Sequence, residues 1–240
     1  MLDFLQLESH YQQARHALLE ARNEEGHWEG ELSASALSTA TAVSALSLVR
    51  THTLSADRGE LPGEETLDDL IDRGVNYLFS QQNEDGGWGD TSLSYSNIAT
   101  TMLVVSALHL AGRAGDETSR LQEADEYLDR EGRIEGLKRR YGKDKTFVVP
   151  ILANAALAGL ADWRDVSPLP FELACFPQSL FRLLRMPVVS YAIPALVAIG
   201  QARYFHRPPR NPLAWLVRRL AIGRSRRVLR RSQPESGGYL

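Results

Sequence analysis

The stretch "RGVNYLFSQQNEDGGWGD", residues 73–90, sets the reading of the chain, because much of it occurs twice. Shifted by 60 positions, "ARNEEGHWEG" (21–30) falls on "QQNEDGGWGD" (81–90). Asn23 meets Asn83, Glu24 meets Glu84, Glu25 meets Asp85, Gly26 meets Gly86 and Trp28 meets Trp88; Leu18 meets Leu78 upstream. After the tryptophan the offset grows to 62, and "AVSALSL" (42–48) falls on "VVSALHL" (104–110). Agreement on both sides of a small length difference identifies an internal repeat.

Each unit reads as a helix, a Gly-Trp turn, a short polar loop and a second helix. Residues 64–82 carry helical spacing through Leu67, Leu70, Ile71, Val75 and Leu78, and glycines then stop the helix. The second helix, "ATTMLVVSALHLAG" (99–112), is apolar almost all round, as expected of a helix covered on both sides. An amphipathic helix alternating with an all-apolar one predicts two concentric layers. A weaker third pair follows, with 121–129 outer and 146–160 inner, joined by "REGRIEG" (130–136), which lacks a tryptophan. Residues 188–202 are a fourth inner candidate. The expected fold is all-α: an α–α toroid, part of an (α/α)6 barrel. Its repeats lie near 14–48, 73–112 and 121–160 in a barrel domain of residues 1–202.

Arg73, Gly74, Tyr77, Leu78, Gln82, Gly86 and Trp88 resemble the QW motif of squalene–hopene and oxidosqualene cyclases. That motif runs basic, small, aromatic–aliphatic, then Q-x3-G-x-W. The copy at 14–28 is degenerate, with Arg22 in place of the glutamine. Residues 18–42 also look like the opening of bacterial squalene cyclases, "RMPVVSYAIPALVAI" (185–199) is similar to a later stretch, and "GGYL" (237–240) resembles a turn into another repeat. The resemblance covers nearly the whole chain and is most specific at 73–88 and 18–42.

The resemblance implies a catalyst that folds a squalene-like polyprene in an aromatic-lined cavity between two α–α barrels and protonates one end. Such chemistry needs a strong acid, π-faces to stabilise carbocations and a dry cavity. It implies no metal and no organic cofactor. The family's acid is the middle aspartate of a D-x-D-D motif, in the later part of a much longer chain. No D-x-D-D occurs here; Asp68, Asp69 and Asp72 in "LDDLID" have another spacing and sit on the amphipathic outer helix, where a solvated face is expected. The chain is therefore expected to be the N-terminal barrel portion of a cyclase: a truncated product, a split subunit or a fragment, unable to cyclise alone. Its expected partners are the C-terminal catalytic barrel or a second copy. The alternative is a non-catalytic α–α toroid that binds lipid or a partner protein.

Within this frame Arg73, Tyr77, Gln82, Gly86, Trp88, Gly26 and Trp28 are expected to be structural, the tryptophan stacked on the outer helix end and the glutamine bonded to nearby backbone. The cavity candidates are Tyr191, Phe147 and Thr41, with plain core packing as the other reading of the two aromatics. Thr41 stands where the family often has an acidic residue.

The net charge of −3 hides an asymmetry. Residues 203–231 hold ten arginines and no lysine or acid, leaving 17 basic against 30 acidic residues elsewhere. Leu213, Leu216, Val217 and Leu220 form an apolar stripe beside Trp215, Arg218 and Arg219 start the polar side, and Gly223 is a candidate helix break. A Trp/Leu face beside arginines is the composition of an interfacial membrane helix. Trp215, Leu216, Arg218 and Arg219 are the expected membrane-facing residues of a segment spanning 203–233, with 234–240 starting a further repeat. An amphipathic helix docked on the acidic body is the competing reading. The resemblance implies a peripheral, monotopic protein on the cytoplasmic side of a membrane.

Other classes are disfavoured. The N-terminus lacks a signal-peptide pattern, and the apolar runs at 147–161 and 188–200 are shorter than the roughly 20 residues of a membrane span. Cys175 is the one cysteine, so no internal disulfide forms, and the six histidines show no metal-ligand spacing. Prenyltransferase β-subunits share the toroid but use zinc, and Cys175 has no evident co-ligands. Arginines without a stacking platform give weak grounds for nucleic-acid binding.

Overall fold

In a computed structural model the described residues are 4–24, 26–28, 34–53, 66–142, 145–177 and 193–231. Among them are nine α-helices, one 3-10 helix and no strand. The helices are α1 (Phe4–Glu20), α2 (Ala36–Thr53), α3 (Leu67–Ser80), α4 (Ile98–Ala111), α5 (Thr118–Glu131), α6 (Arg133–Tyr141), α7 (Lys145–Leu157), α8 (Ile193–His206) and α9 (Pro212–Arg231). The 3-10 helix is Phe171–Cys175. The chain divides into two compact units, Met1–Ala34 and Ser35–Leu240.

The first unit is α1 and the turn after it. The second begins with α2 and is organised around α4, where every residue except His109 and Leu110 is buried. Such a helix needs neighbours on all sides. It packs against α2 and α7, with α5 and α6 also against it. The outer helices are one-sided. α3 turns Ile71, Val75, Leu78 and Phe79 inward, and α5 turns Leu121, Ala124, Tyr127 and Leu128 inward. The alternation of all-apolar and amphipathic helices is that of an α–α toroid.

Local chemistry sets the element ends. Thr66 and Asp69 form a reciprocal capping box at the start of α3. Asn97 accepts from the Thr100 N–H at the start of α4, and Gly112 closes that helix in the left-handed conformation. Gly74 faces Val43, whose Cγ2 would lie 2.5 Å from an added Cβ, so the small residue lets α3 approach α2 closely.

Two expectations are corrected. "REGRIEG" is not the turn into the third inner helix: α5 runs to Glu131, and α6 occupies 133–141. Arg133 takes a positive φ of 45°, unusual for a side-chain-bearing residue, and is held by ion pairs to Asp129 (2.5 Å) and Asp125 (3.3 Å). The second correction concerns Gly223, which does not break α9. Ala221 and Ser225 on either side are buried, and that packing outweighs the roughly 1 kcal/mol by which glycine disfavours a helix. Nothing lies within 4 Å of a Cβ built at Gly223. Gly223→Ala is therefore expected to stabilise the chain by about 0.5–1 kcal/mol, read as a higher midpoint in thermal denaturation; a lower midpoint would contradict the continuous helix.

Candidate functional site

The Gly-Trp turn after α3 is a dense knot of polar bonds. The Trp88 indole is fully buried and donates its N–H to the Leu78 carbonyl at 2.7 Å, capping the end of α3. Its backbone N–H donates to Thr101 Oγ1 at 3.0 Å, and its carbonyl accepts from the Asn97 N–H at 2.9 Å, so the turn is tied to the start of α4. Gln82 Nε2 donates to the Gly86 carbonyl and to the Arg120 carbonyl, both at 2.8 Å. Arg130 donates to the Asp85 carbonyl at 2.7 Å, and Arg120 to the Phe79 carbonyl. The turn thus joins α3, α4 and α5. Gly86 has φ +85°, and a Cβ there would lie 2.5 Å from the Glu123 carbonyl oxygen of α5. Arg73 is exposed on α3, whereas Tyr77 is half-buried, its hydroxyl buried without a hydrogen-bond partner among the described residues.

The turn after α1 has the same internal bonds. Trp28 Nε1 donates to the Leu18 carbonyl at 2.5 Å, the Asn23 N–H to the His27 carbonyl at 2.9 Å, and the Gly26 N–H to the Asn23 carbonyl at 3.0 Å. The later turn pairs Asn83 with Gly87 at 2.9 Å and Gly86 with Asn83 at 3.0 Å. Arg22, which replaces the glutamine, donates from Nε to the Gly26 carbonyl at 2.7 Å. Its guanidinium also lies over the Trp28 ring, 5.7 Å from the centroid. Arginine there performs one of the two bonds that Gln82 makes. Trp28 is 48% exposed where Trp88 is fully covered.

The three aspartates of α3 are each engaged at the surface. Asp68 pairs with Arg50 at 2.9 Å, Asp72 pairs with Arg113, and Asp69 caps its own helix. The backbone hydrogen bond from Thr66, then its hydroxyl, hold the Asp69 carboxyl below its ordinary range. A carboxylate so held keeps no proton to give at neutral pH.

Of the cavity candidates, Phe147 is 56% exposed and stacks on Tyr141 at 5.6 Å. Thr41 is exposed on α2 and donates its hydroxyl to the Ser38 carbonyl at 2.8 Å. Tyr191 lies outside the described residues, as does 234–240. A cavity of about 260 Å³ lies among α4, α5, α6 and α7; Met102, Val105, Leu128, Ile134, Ala155 and Leu160 form its apolar wall, and Asp125, Arg133 and Glu135 also line it. Neither Phe147 nor Thr41 lines it.

At the other end of the second unit, α9 packs on α8 and the 3-10 helix through Ala221, Phe171 and Tyr204. The buried Ser225 hydroxyl accepts from Gln201 Nε2 at 2.8 Å. The docked face is not the apolar stripe: Leu213 is 68%, Leu216 46%, Val217 45% and Leu220 72% exposed. Trp215 is 39% exposed with Arg219 over its ring at 5.4 Å. Arg218 departs from the expectation that it faces outward. Its side chain is only 13% exposed, pairs with Glu172 at 3.3 Å and lies over the Phe171 ring, because it shares a helix face with Ala221 and Ser225. The residues that anchor α9, Gln201 and Glu172 among them, carry no motif and were not singled out from the sequence.

Among the described residues no helix is long and apolar enough to cross a membrane, and no group of three or more His, Cys, Asp or Glu side chains is placed to hold a metal ion.

In the second unit all-apolar and amphipathic helices alternate, and with the Gly-Trp turn between α3 and α4 they define an α–α toroid of the terpene cyclase class. The family model for the squalene-hopene cyclase N-terminal domain matches residues 11–211, and the chain belongs to that family. It is also 30% identical over 170 residues to the squalene–hopene cyclase of Zymomonas mobilis subsp. mobilis, an alignment covering 70% of this chain and 22% of that relative. The chain thus spans well under half the length of the curated relative it matches. No solved structure matches it.

Proposed function

We propose that this chain acts in triterpenoid synthesis of the squalene–hopene type, as the toroid portion that braces a polyprene cavity and meets the membrane, with the protonating acid supplied from elsewhere. The observation that carries this reading is the QW-type turn, Gln82, Gly86 and Trp88, in a chain without a D-x-D-D motif. The substrate is a squalene-like hydrocarbon, which carries no charge for this chain to bind and dissolves in lipid. The exposed Leu213, Leu216, Val217 and Leu220 stripe beside Trp215 and Arg219 supports a membrane-facing role for α9, since its other face is already occupied. Each arginine near an anionic surface contributes roughly 1 kcal/mol.

Two experiments test the reading. The purified 240-residue polypeptide incubated with squalene is expected to give no cyclic triterpene by gas chromatography–mass spectrometry; turnover without an added partner would overturn the division of labour. Leu216→Glu with Leu220→Glu is expected to cut recovery with anionic vesicles at least about tenfold, by removing two side chains each contributing about 1.5–3 kcal/mol when buried. Unchanged recovery would remove α9 as the contact. The second reading, a non-catalytic lipid-binding toroid, draws on the same missing acid. The DNA beyond codon 240 separates the two, since a continuing frame or adjacent gene encoding D-x-D-D favours the cyclase.

A further inference from the structure

The arginines of α8, α9 and the segment between them are not all directed at solvent. Arg203, Arg207, Arg210 and Arg218 converge on a pocket of about 550 Å³ whose remaining wall is proline: Pro168, Pro208 and Pro209. That volume falls within the range of small-molecule sites.

The electrostatics of the pocket are unbalanced. Arg203 is buried, 9% exposed, yet among the described residues its guanidinium has only neutral acceptors: the Val166 carbonyl at 3.0 Å and the Arg207 carbonyl at 2.5 Å. Two carboxylates approach the cluster, each against another arginine. Glu172 takes Arg218 at 3.3 Å, and Asp162 lies 3.8 Å from Arg207. Among the described residues Arg210 pairs with no carboxylate, and it projects at the exposed rim. Among the described residues four guanidiniums therefore face two carboxylates, and Asp162 is shared with Arg164 at 3.4 Å. Burial, then the like charges of Arg207 and Arg218, push the Arg203 guanidinium below its ordinary range. Holding like charges together in a half-enclosed space is costly unless an anion enters it.

The geometry also suits one kind of anion. Guanidinium forks match phosphate oxygens with paired, charge-assisted hydrogen bonds. Pro208 and Pro209 fix the backbone between Arg207 and Arg210, so part of the ordering cost of binding is already met in the fold. The Arg203 side chain is likewise held by its two carbonyl bonds.

We propose that this pocket binds a phosphate-bearing anion, either a phospholipid headgroup or a free phosphate or diphosphate, through Arg203, Arg207, Arg210 and Arg218. The site stands apart from the apolar stripe of α9 and does not depend on the cyclase reading. It supplies a specific polar contact where the stripe supplies only apolar area.

The test compares two double variants of the full chain that remove the same charge. Arg207→Gln with Arg210→Gln alters the pocket, whereas Arg230→Gln with Arg231→Gln alters the far end of α9. Titration calorimetry with inorganic phosphate and pyrophosphate is one arm. Co-sedimentation with phosphatidylglycerol vesicles, against phosphatidylcholine vesicles, is the other. The pocket variant is expected to weaken binding by at least about tenfold and the distal variant by less than about threefold. Loss in the calorimetric arm assigns a free phosphate; loss confined to the vesicle arm assigns a headgroup. Equal losses in the two variants, or no binding of either probe by the unaltered chain, overturn the proposal. Should the pocket variant lose its helical circular dichroism, Arg210→Gln alone, at the exposed rim, carries the same comparison with an expected loss of at least about threefold.

Discussion

Trp88→Ala is expected to lower the thermal midpoint of the chain by roughly 10–15 °C, from a loss of about 3–5 kcal/mol. The indole is fully buried, so its removal leaves a cavity in the core, and it takes with it the donor that satisfies the Leu78 carbonyl. A truncated tryptophan in a rigid turn leaves a void the surroundings cannot close, because Thr101, Asn97 and Gln82 hold the turn from three sides. Trp28→Ala is the control. Trp28 makes the equivalent bond to Leu18 but is 48% exposed, so it is expected to cost about 1 kcal/mol or less. Melting curves by circular dichroism decide the matter; equal shifts for the two variants would mean that the second turn is no better anchored than the first.

Gly86→Ala is expected to destabilise by about 3 kcal/mol or more, although it adds one methyl group. The positive φ alone costs roughly 1–2 kcal/mol for a residue with a Cβ. The larger part is contact, since the methyl would sit 2.5 Å from the Glu123 carbonyl oxygen and 2.7 Å from its carbon, and backbone cannot step aside. α5 would have to lift, breaking the Gln82–Arg120 and Arg130–Asp85 bonds. Gly26→Ala has nearly the same φ, +87°, but its methyl meets only the tip of Arg22 at 2.9 Å, which can rotate away. That substitution is expected to cost about 1–2 kcal/mol. Urea midpoints of the two variants measure the difference, and parity would show that α5 does not press on Gly86.

Both contrasts bear on what could be read in advance. The repeat was legible because asparagine, glycine and tryptophan at fixed spacing reflect backbone geometry that side chains alone cannot vary. α3 and α4 were legible for the same kind of reason: one shows a clean helical stripe, the other no polar face at all. Arg22 shows the limit of letter matching. It reads as a defect in the motif, yet its guanidinium reaches the same glycine carbonyl, because a longer side chain with N–H donors can replace an amide for one bond. α6 was hidden by Gly132 and Gly136, which look like turn residues. Gly132 caps α5 with φ +85°, but Gly136 lies inside α6, where a Cβ would sit 1.9 Å from the Glu131 carbonyl oxygen at the end of α5. Glycine packed against the end of the preceding helix and glycine at a turn are the same letter. The inward setting of Arg218 was hidden for another reason, since it depends on Glu172 and Phe171, 46 and 47 positions away. The converging arginines were visible as charge and invisible as a pocket, since only the fold places Pro168 opposite Pro208 and Pro209.

The single amide nitrogen of Gln82 spends its two protons in different places, one on its own turn at Gly86 and one on the next outer helix at Arg120. A clasp of this kind couples motions as well as positions. If α5 peels away, Gln82 loses a partner, and the turn that closes α3 loosens in the same event. Protein segments linked in this way open as one cooperative block rather than fraying helix by helix. In amide exchange, the N–H groups of α5 and those of residues 82–88 should therefore share one opening rate, and the toroid should come apart by whole repeats.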